Sequence, residues 1–380
     1  MDYALLNRFY GDHVQMNKVE TARNIKQVMR IVRKILDHVH KKDRRFKRKP
    51  LRVGSYYTHL KVSKADEFDF SVVLDVPPLD WCNDDSSYIY EFNKKDQLVK
   101  KVSTAADLPI EKGLISLPDN IIQQWNRDGI NDDEACLTFD DDIIPIMVKK
   151  RFKALVSEAV NELDIENVDA KRLTDSPATT LTINLTKPAN GDVSVDLTPL
   201  IESRSTFVEF LGWPRPGSQW PPKKKVDEIK EMGFNDIAKD KYYWTYSFAS
   251  CEKKLLDGID NIEENPTFRK MSEKIMKKLK EKWCPKSMKQ ELTSYHLLNI
   301  LFWECERYPQ DSEWSEDHVD TKLISMSERL LECIRKNNLP QYFHPRVNLF
   351  STKKIDVLNQ VAKNIQQFLR KPVSYIQRYY

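Results

Sequence analysis

The sequence predicts an α+β protein of two lobes: a mixed-sheet lobe with a long N-terminal helix over residues 1–204, and a helical lobe over 205–380. Three observations lead there. Residues 18–42 keep an unbroken helical period, 51–76 and 179–197 hold alternating strand-like runs, and nearly everything beyond Val226 reads as helix. With 380 residues, 40% hydrophobic and 31% charged, the composition is that of a globular chain rather than a disordered or fibrous one. No apolar run reaches the about 18 residues of a spanning helix, and the first residues lack a basic, apolar leader, so a cytoplasmic protein is expected. The six cysteines form no C-x-x-C pair, which argues against both a disulfide framework and a structural zinc site.

The helix over 18–42 is amphipathic. Ile25, Val28, Met29, Val32, Ile35, Leu36 and Val39 share one half of the wheel, and Arg23, Lys26, Arg30, Arg33, Lys34 and Lys41 share the other. The basic face runs on into Lys42, Arg44, Arg45, Lys47, Arg48 and Lys49 before Pro50 stops the segment. A short strand at 51–53 meets a Gly54-Ser55 turn, and a second strand covers 67–76. Residues 80–135 lack a clean period and read as an insertion with one or two helices, while a helical spacing returns at 150–164. Strands at 179–185 and 193–197 flank Pro188-Ala189-Asn190-Gly191, and Asn-Gly between alternating runs is a hairpin signal. A proline-rich connection, Trp213-Pro214-Arg215-Pro216-Gly217 and Pro221-Pro222, then introduces the helical half.

Chemistry first shows in Glu67-Phe68-Asp69-Phe70. Alternation sends Phe68, Phe70 and Val72 into the core and puts Glu67 and Asp69 together on the other face. Alone, this pair reads as a solvated edge strand at least as readily as a site for Mg²⁺, which favours carboxylate oxygens. Asp196 shifts the balance, because it sits opposite the apolar Val193, Val195 and Leu197 on another strand. Three rigid carboxylates are what a two-metal phosphoryl-transfer centre needs. Gly54 allows close backbone approach to a phosphate, and Ser55 can donate to it.

These residues resemble a known family. Gly54-Ser55-Tyr56-Tyr57 followed by Glu67-Phe68-Asp69 looks like the Gly-Ser and Glu-x-Asp motifs of cyclic GMP–AMP synthase and its animal relatives, and Ser176-Pro177-Ala178 with Val193-Ser194-Val195-Asp196 resembles that family's third-ligand strand pair. Thr293-Ser294-Tyr295-His296, Tyr308-Pro309-Gln310-Asp311-Ser312-Glu313-Trp314 and Phe343-His344-Pro345-Arg346 resemble its C-terminal lobe, so the likeness runs from about 15 to 365. It implies a bilobal nucleotidyltransferase fold that joins ATP and GTP into a cyclic dinucleotide for innate immune signalling. Glu67, Asp69 and Asp196 would be the catalytic ligands of two Mg²⁺ or Mn²⁺ ions, and Gly54 and Ser55 would meet a triphosphate. Tyr295 would stack on a base, with Ser294 and Lys277 (or Lys274, one turn earlier) near its phosphates. Ser247, Ser250 and Glu252 would lie near a ribose or base, and Asp196 would also accept the proton of the attacking hydroxyl. His59 and His296 are read as structural.

Two departures matter. Thr245 stands where the synthase carries a guanine-reading arginine, which opens the choice of base and linkage. The stretch corresponding to its zinc thumb, 253–270, has neither cysteine nor histidine, so no zinc is expected, as in invertebrate receptors of the family that respond to double-stranded RNA. Such RNA is the expected activator, held without base readout by Lys26, Arg30, Arg33, Lys34 and Lys41, with Lys223-Lys224-Lys225 and the lysines of 269–289 as further basic clusters. Oligomers assembled on nucleic acid fit this picture, and a membrane partner does not. Two other readings stay open: a linear oligonucleotide synthase of the oligoadenylate-synthetase type, and a catalytically silent nucleic-acid-binding scaffold.

Overall fold

A computed structural model describes residues 2–76, 87–92, 98–104, 112–127, 135–165, 167–170, 176–187, 191–202, 211–263 and 265–380. The Pro188-Ala189-Asn190 tip of the expected hairpin and parts of the 80–135 insertion lie outside these residues. Helix α1 (Tyr3–Phe9) passes through a π-helical turn into α2 (Lys18–Lys42), then β1 (Leu51–Val53), α3 (Gly54–Tyr57) and β2 (Glu67–Val73). The hairpin of β3 (Ser87–Phe92) and β4 (Leu98–Thr104) is followed by β5 (Lys112–Gly113), α4 (Asp119–Arg127), β6 (Thr138–Phe139), β7 (Asp142–Ile143) and α5 (Pro145–Glu162). Next come β8 (Val168–Ala170), β9 (Thr179–Leu185), β10 (Gly191–Glu202), α6 (Lys223–Met232), β11 (Asn235–Ile237), β12 (Trp244–Ser247) and α7 (Ala249–Leu256). The rest is helical: α8 (Arg269–Trp283), α9 (Ser294–Arg307), α10 (Val319–Arg335), α11 (Ile355–Arg370) and α12 (Pro372–Gln377), with short 3-10 turns between.

The long helix begins where Asn17 caps it, its Oδ1 accepting from the backbone N–H groups of Val19 (3.0 Å) and Glu20 (3.1 Å). Val28, Val32, Ile35, Leu36 and Val39 are buried against the sheet and α5, with Ile25 and Met29 at the margin. Lys26, Arg30, Arg33, Lys34 and Lys41 are exposed, and none makes an ion pair among the described residues. The basic tail is less open than its sequence suggests. Arg45 is buried, forked onto Asp43 (2.9 and 2.8 Å) and donating to the Ala135 carbonyl (2.7 Å). Lys42 pairs with Glu158 and Glu162, and Lys47 with Asp75.

The main sheet is mixed. Its path runs β1-β2-β10-β11-β12-β5, with β9 and β8 branching from β10. Strand β2 is parallel to β10, while β1–β2 and β9–β10 are antiparallel. The residues beyond 226 are not all helix: β11 and β12 extend the sheet across the expected 204/205 boundary. These strands have three and four residues and no apolar alternation, so pairing fixes them: β11 to the end of β10, and β12 between β11 and β5.

Two apolar cores result. One joins α2, α5 and the sheet, and the other gathers α7 to α12. Leu6, Phe9 and Val14 belong to the second, with Phe9 edge-on to Tyr379 at 4.8 Å, so the N-terminal segment packs on the helical lobe. No helix among the described residues is long and apolar enough to cross a membrane.

Candidate active site

The three carboxylates meet because two strands run in register. Asp196 of β10 lies beside Asp69 of β2 in the parallel ladder, and Glu67 is paired one step away with Ser194. Their ligand oxygens lie within 4.8 Å of one another. On the other side of β10, Thr180 Oγ1 donates to Asp196 Oδ1 at 2.7 Å and fixes that carboxylate. Burial, then the charges of Glu67 and Asp196, push the Asp69 carboxyl up to about 7, against the opposing pull of Lys61. A hard, all-oxygen cluster short of positive charge fits Mg²⁺ or Mn²⁺. Lys61 supplies part of that charge, its Nζ lying 2.8 Å from Glu67 and 3.1 Å from Asp66. Burial opposes this ammonium, but the two carboxylates win and hold it above its ordinary range.

Gly54 follows Val53, which is the register partner of Asp69. It has φ +79°, and a methyl group built there would come within 1.9 Å of Asp69 Oδ2. The Ser55 carbonyl then accepts from the backbone N–H groups of both Leu60 (2.8 Å) and Lys61 (2.9 Å), closing the loop. The Ser55 hydroxyl makes no hydrogen bond among the described residues, which leaves it free to meet a phosphate oxygen.

Tyr295 lies in the first turn of α9 and is 38% exposed overall. Its hydroxyl end is enclosed: Gln341 donates to it at 3.1 Å, and the charge of the buried Glu252 is felt there. Burial raises Glu252 to about 7 even though Tyr295 pulls it down. A ring clamped at its polar end and open on its surface is suited to stacking. Ser294 is its half-buried neighbour at the helix start. His296 forms the capping box with Thr293, and burial, then Lys353, press its imidazole down to about 3, which fits a structural role. Ser247 pairs with Asn235 in the β11–β12 ladder. Ser250 accepts from Asn235 Nδ2 (2.9 Å) and lines a separate cavity of about 370 Å³ with Arg52, His59, Lys253 and Lys270.

Residues 56–258 match the Mab-21 protein nucleotidyltransferase domain, and residues 268–367 match the Mab-21 protein HhH/H2TH-like domain. The chain belongs to the Mab-21 family. Over 258 residues it is 30% identical to Protein mab-21-like 3 of Danio rerio, covering 68% of this chain and 62% of that relative. The nucleotidyltransferase match contains Glu67, Asp69, Asp196 and Glu252, and the second match contains Lys277, Ser294 and Tyr295.

In this Mab-21 chain, Lys270, Lys274, Lys278 and Lys280 of α8 are half-buried, Lys282 is exposed and Lys277 is buried. Lys277 is 5% exposed and donates to the Leu60 carbonyl at 3.0 Å, so its ammonium ties α8 to the Gly-Ser loop. Burial lowers it, and lifts its buried neighbour Glu273, whose carboxyl oxygens have no hydrogen-bond partner among the described residues. Lys274 donates to the Tyr10 hydroxyl (3.2 Å). Lys280, half-buried and lowered mainly by burial, feels the charge of Glu67 and lies beside the Leu292 carbonyl. Lys61 and Lys280 are the charged groups the motifs did not single out. Lys61 was legible as the lysine six residues before Glu67, whereas Lys280 is one of many lysines in a basic run.

Proposed function

We propose that this protein is a metal-dependent nucleotidyltransferase that joins ATP and GTP into a cyclic dinucleotide when double-stranded RNA lies on the basic face of α2, which would place it with the cyclic GMP–AMP synthase-like receptors. The observation that carries the reading is the in-register meeting of Asp69 and Asp196 with Glu67 against a glycine that leaves no room for a side chain. Divalent ions held there would neutralise the triphosphate and favour ionisation of the ribose hydroxyl, which attacks the α-phosphorus and displaces pyrophosphate. The protein's own groups do the rest. Ser55 and the Gly54 backbone orient the triphosphate, Tyr295 holds a base by its ring face, and Asp196 accepts the hydroxyl proton. Lys61 leaves Glu67 for the phosphate oxygens as substrate enters.

Tyr295→Ala is expected to raise the nucleotide KM by about tenfold or more, since a base–aromatic stack contributes roughly 1–3 kcal/mol. Tyr295→Phe keeps the ring and gives a smaller rise. Equal effects of the two variants would mean that the hydroxyl bond, not stacking, matters.

The test is incubation with all four labelled ribonucleoside triphosphates and Mg²⁺ or Mn²⁺, alone, with double-stranded DNA, or with long double-stranded RNA. A phosphatase-resistant product that needs RNA supports the proposal, whereas a ladder of linear products supports an oligoadenylate-type synthase. Charge reversal at Arg30 and Lys34 is expected to cut RNA stimulation at least about tenfold and to lower the salt slope of RNA binding by roughly two. Unchanged stimulation would remove the α2 face from the mechanism. A silent scaffold is the second reading. It is favoured by the engagement of Lys277 with Leu60, which takes the expected phosphate-binding ammonium out of reach, and absence of product under every condition would select it.

A further inference from the structure

A second group of ligand atoms lies where α2 packs against α5, sharing no residue with the carboxylates of β2 and β10. Each helix contributes two positions one turn apart: His38 and Lys42 on α2, Glu158 and Glu162 on α5. The His38 side chain is 9% exposed, yet its Nε2 has no hydrogen-bond partner among the described residues. That nitrogen points at Glu158 Oε1 (3.6 Å) and Glu162 Oε2 (3.8 Å), too far for a hydrogen bond to either. The imidazole nitrogen and one oxygen from each glutamate lie within 4.8 Å of one another. Lys42 bridges the same carboxylates from the solvent side, bonding Glu158 and lying 3.2 Å from Glu162. Leaving a buried imidazole nitrogen unpaired is unfavourable, and here it faces paired carboxylates.

We propose that His38, Glu158 and Glu162 form a zinc site that joins α2 to α5, with Lys42 holding the two carboxylates until the metal enters. Tetrahedral Zn²⁺ with ligand bonds of about 2.0–2.2 Å sets its ligand atoms roughly 3.4 Å apart, so the His38–glutamate distances need to shorten only slightly. An imidazole with two carboxylates selects Zn²⁺ over Mg²⁺, which takes oxygen ligands. A water would complete the coordination. Metal entry displaces Lys42, whose side chain is already 42% exposed, onto the solvent face of α2 near Lys41. The metal would thus fix the helix that carries the basic face and add one free ammonium to it. Glu67, Asp69 and Asp196 take no part in this site.

The test uses the full chain carrying Asp69→Asn and Asp196→Asn, so that metal at those carboxylates is not counted. After chelation, it is titrated with Zn²⁺ by calorimetry and with Co²⁺ by visible absorption. One tight site with tetrahedral Co²⁺ bands is expected, together with a rise in melting temperature on adding Zn²⁺. His38→Ala should weaken Zn²⁺ by more than about 100-fold, beyond the roughly 10–100-fold that loss of an outer partner brings. Lys42→Met should instead tighten it by about tenfold, because a competing charge next to the ion is gone. Lys42 is partly exposed, so this variant decides the matter even if His38→Ala folds poorly. Absence of tight Zn²⁺ binding, binding undiminished in His38→Ala, or weaker binding in Lys42→Met would each overturn the proposal.

Discussion

Asp196→Asn is expected to lower nucleotidyl transfer by more than about 100-fold, since even an outer-shell metal partner is worth about 10–100-fold. The same change should raise the melting temperature of the metal-free protein. Asp196 lies beside Asp69 in the ladder, and its charge is one of the causes that lift the Asp69 carboxyl to about 7. The sign follows from proton counts. Folded Asp69 keeps its proton up to about 7, whereas in the unfolded chain it loses it near 3.8. Between those values the folded state binds more protons, so this group makes the metal-free protein less stable as pH rises from about 4 to about 7. Metal must expel that proton, so Mn²⁺ affinity is expected to climb over the same range and level off above it. With Asn at 196 one repulsive charge is gone, and both pH dependences should flatten. Melting curves and Mn²⁺ titrations at pH 5, 6, 7 and 8 measure this. A melting temperature for Asp196→Asn below that of the parent chain would mean that the carboxylate serves the fold, through Thr180, more than the site.

Strong local periods made much of this molecule readable from its residues. The wheel of α2 and the alternation of 67–73 and 193–197 depend on a single face meeting a single core, so the burial of Val28, Phe68 and Val195 follows from pattern alone. The side of the strand bearing Glu67 and Asp69 was legible for the same reason. Their closeness to Asp196 was legible only through the family resemblance, because it requires β10 to lie parallel to β2, a pairing between residues more than a hundred positions apart. Charge was the least legible property. Arg45, Arg269 and Lys277 look like surface cations in a basic run, yet all three are buried, paired with Asp43, Asp311 and the Leu60 carbonyl. Composition records the charge of a side chain and not the direction in which its helix points it. The pairing of Lys42 with Glu158 and Glu162 shows the same limit.

Gly54→Ala is expected to abolish tight metal binding without removing any ligand. The backbone there has φ +79°, a region that costs a residue with a Cβ about 1–2 kcal/mol. Space is the larger problem. The new methyl would lie 1.9 Å from Asp69 Oδ2, 2.6 Å from its Cγ and 2.7 Å from its Cβ. Rotating the carboxylate relieves only the first two contacts, because Cβ moves only with the backbone of β2. Either Asp69 is driven out of line with Glu67 and Asp196, or the Gly-Ser loop lifts and takes Ser55 and the Lys61 tether with it. The two routes separate in a double-mutant cycle with Asp69→Asn, read by melting temperature and Mn²⁺ affinity. If Gly54→Ala acts by displacing the carboxylate, it removes little further metal affinity once Asp69 is Asn, and the two losses fail to add. If it acts by lifting the loop, the losses add, and triphosphate binding falls even in the Asp69→Asn background. A Gly54→Ala protein with parental Mn²⁺ affinity would show that the loop can yield without disturbing the carboxylates, and the close approach of Gly54 to Asp69 would then carry no chemistry.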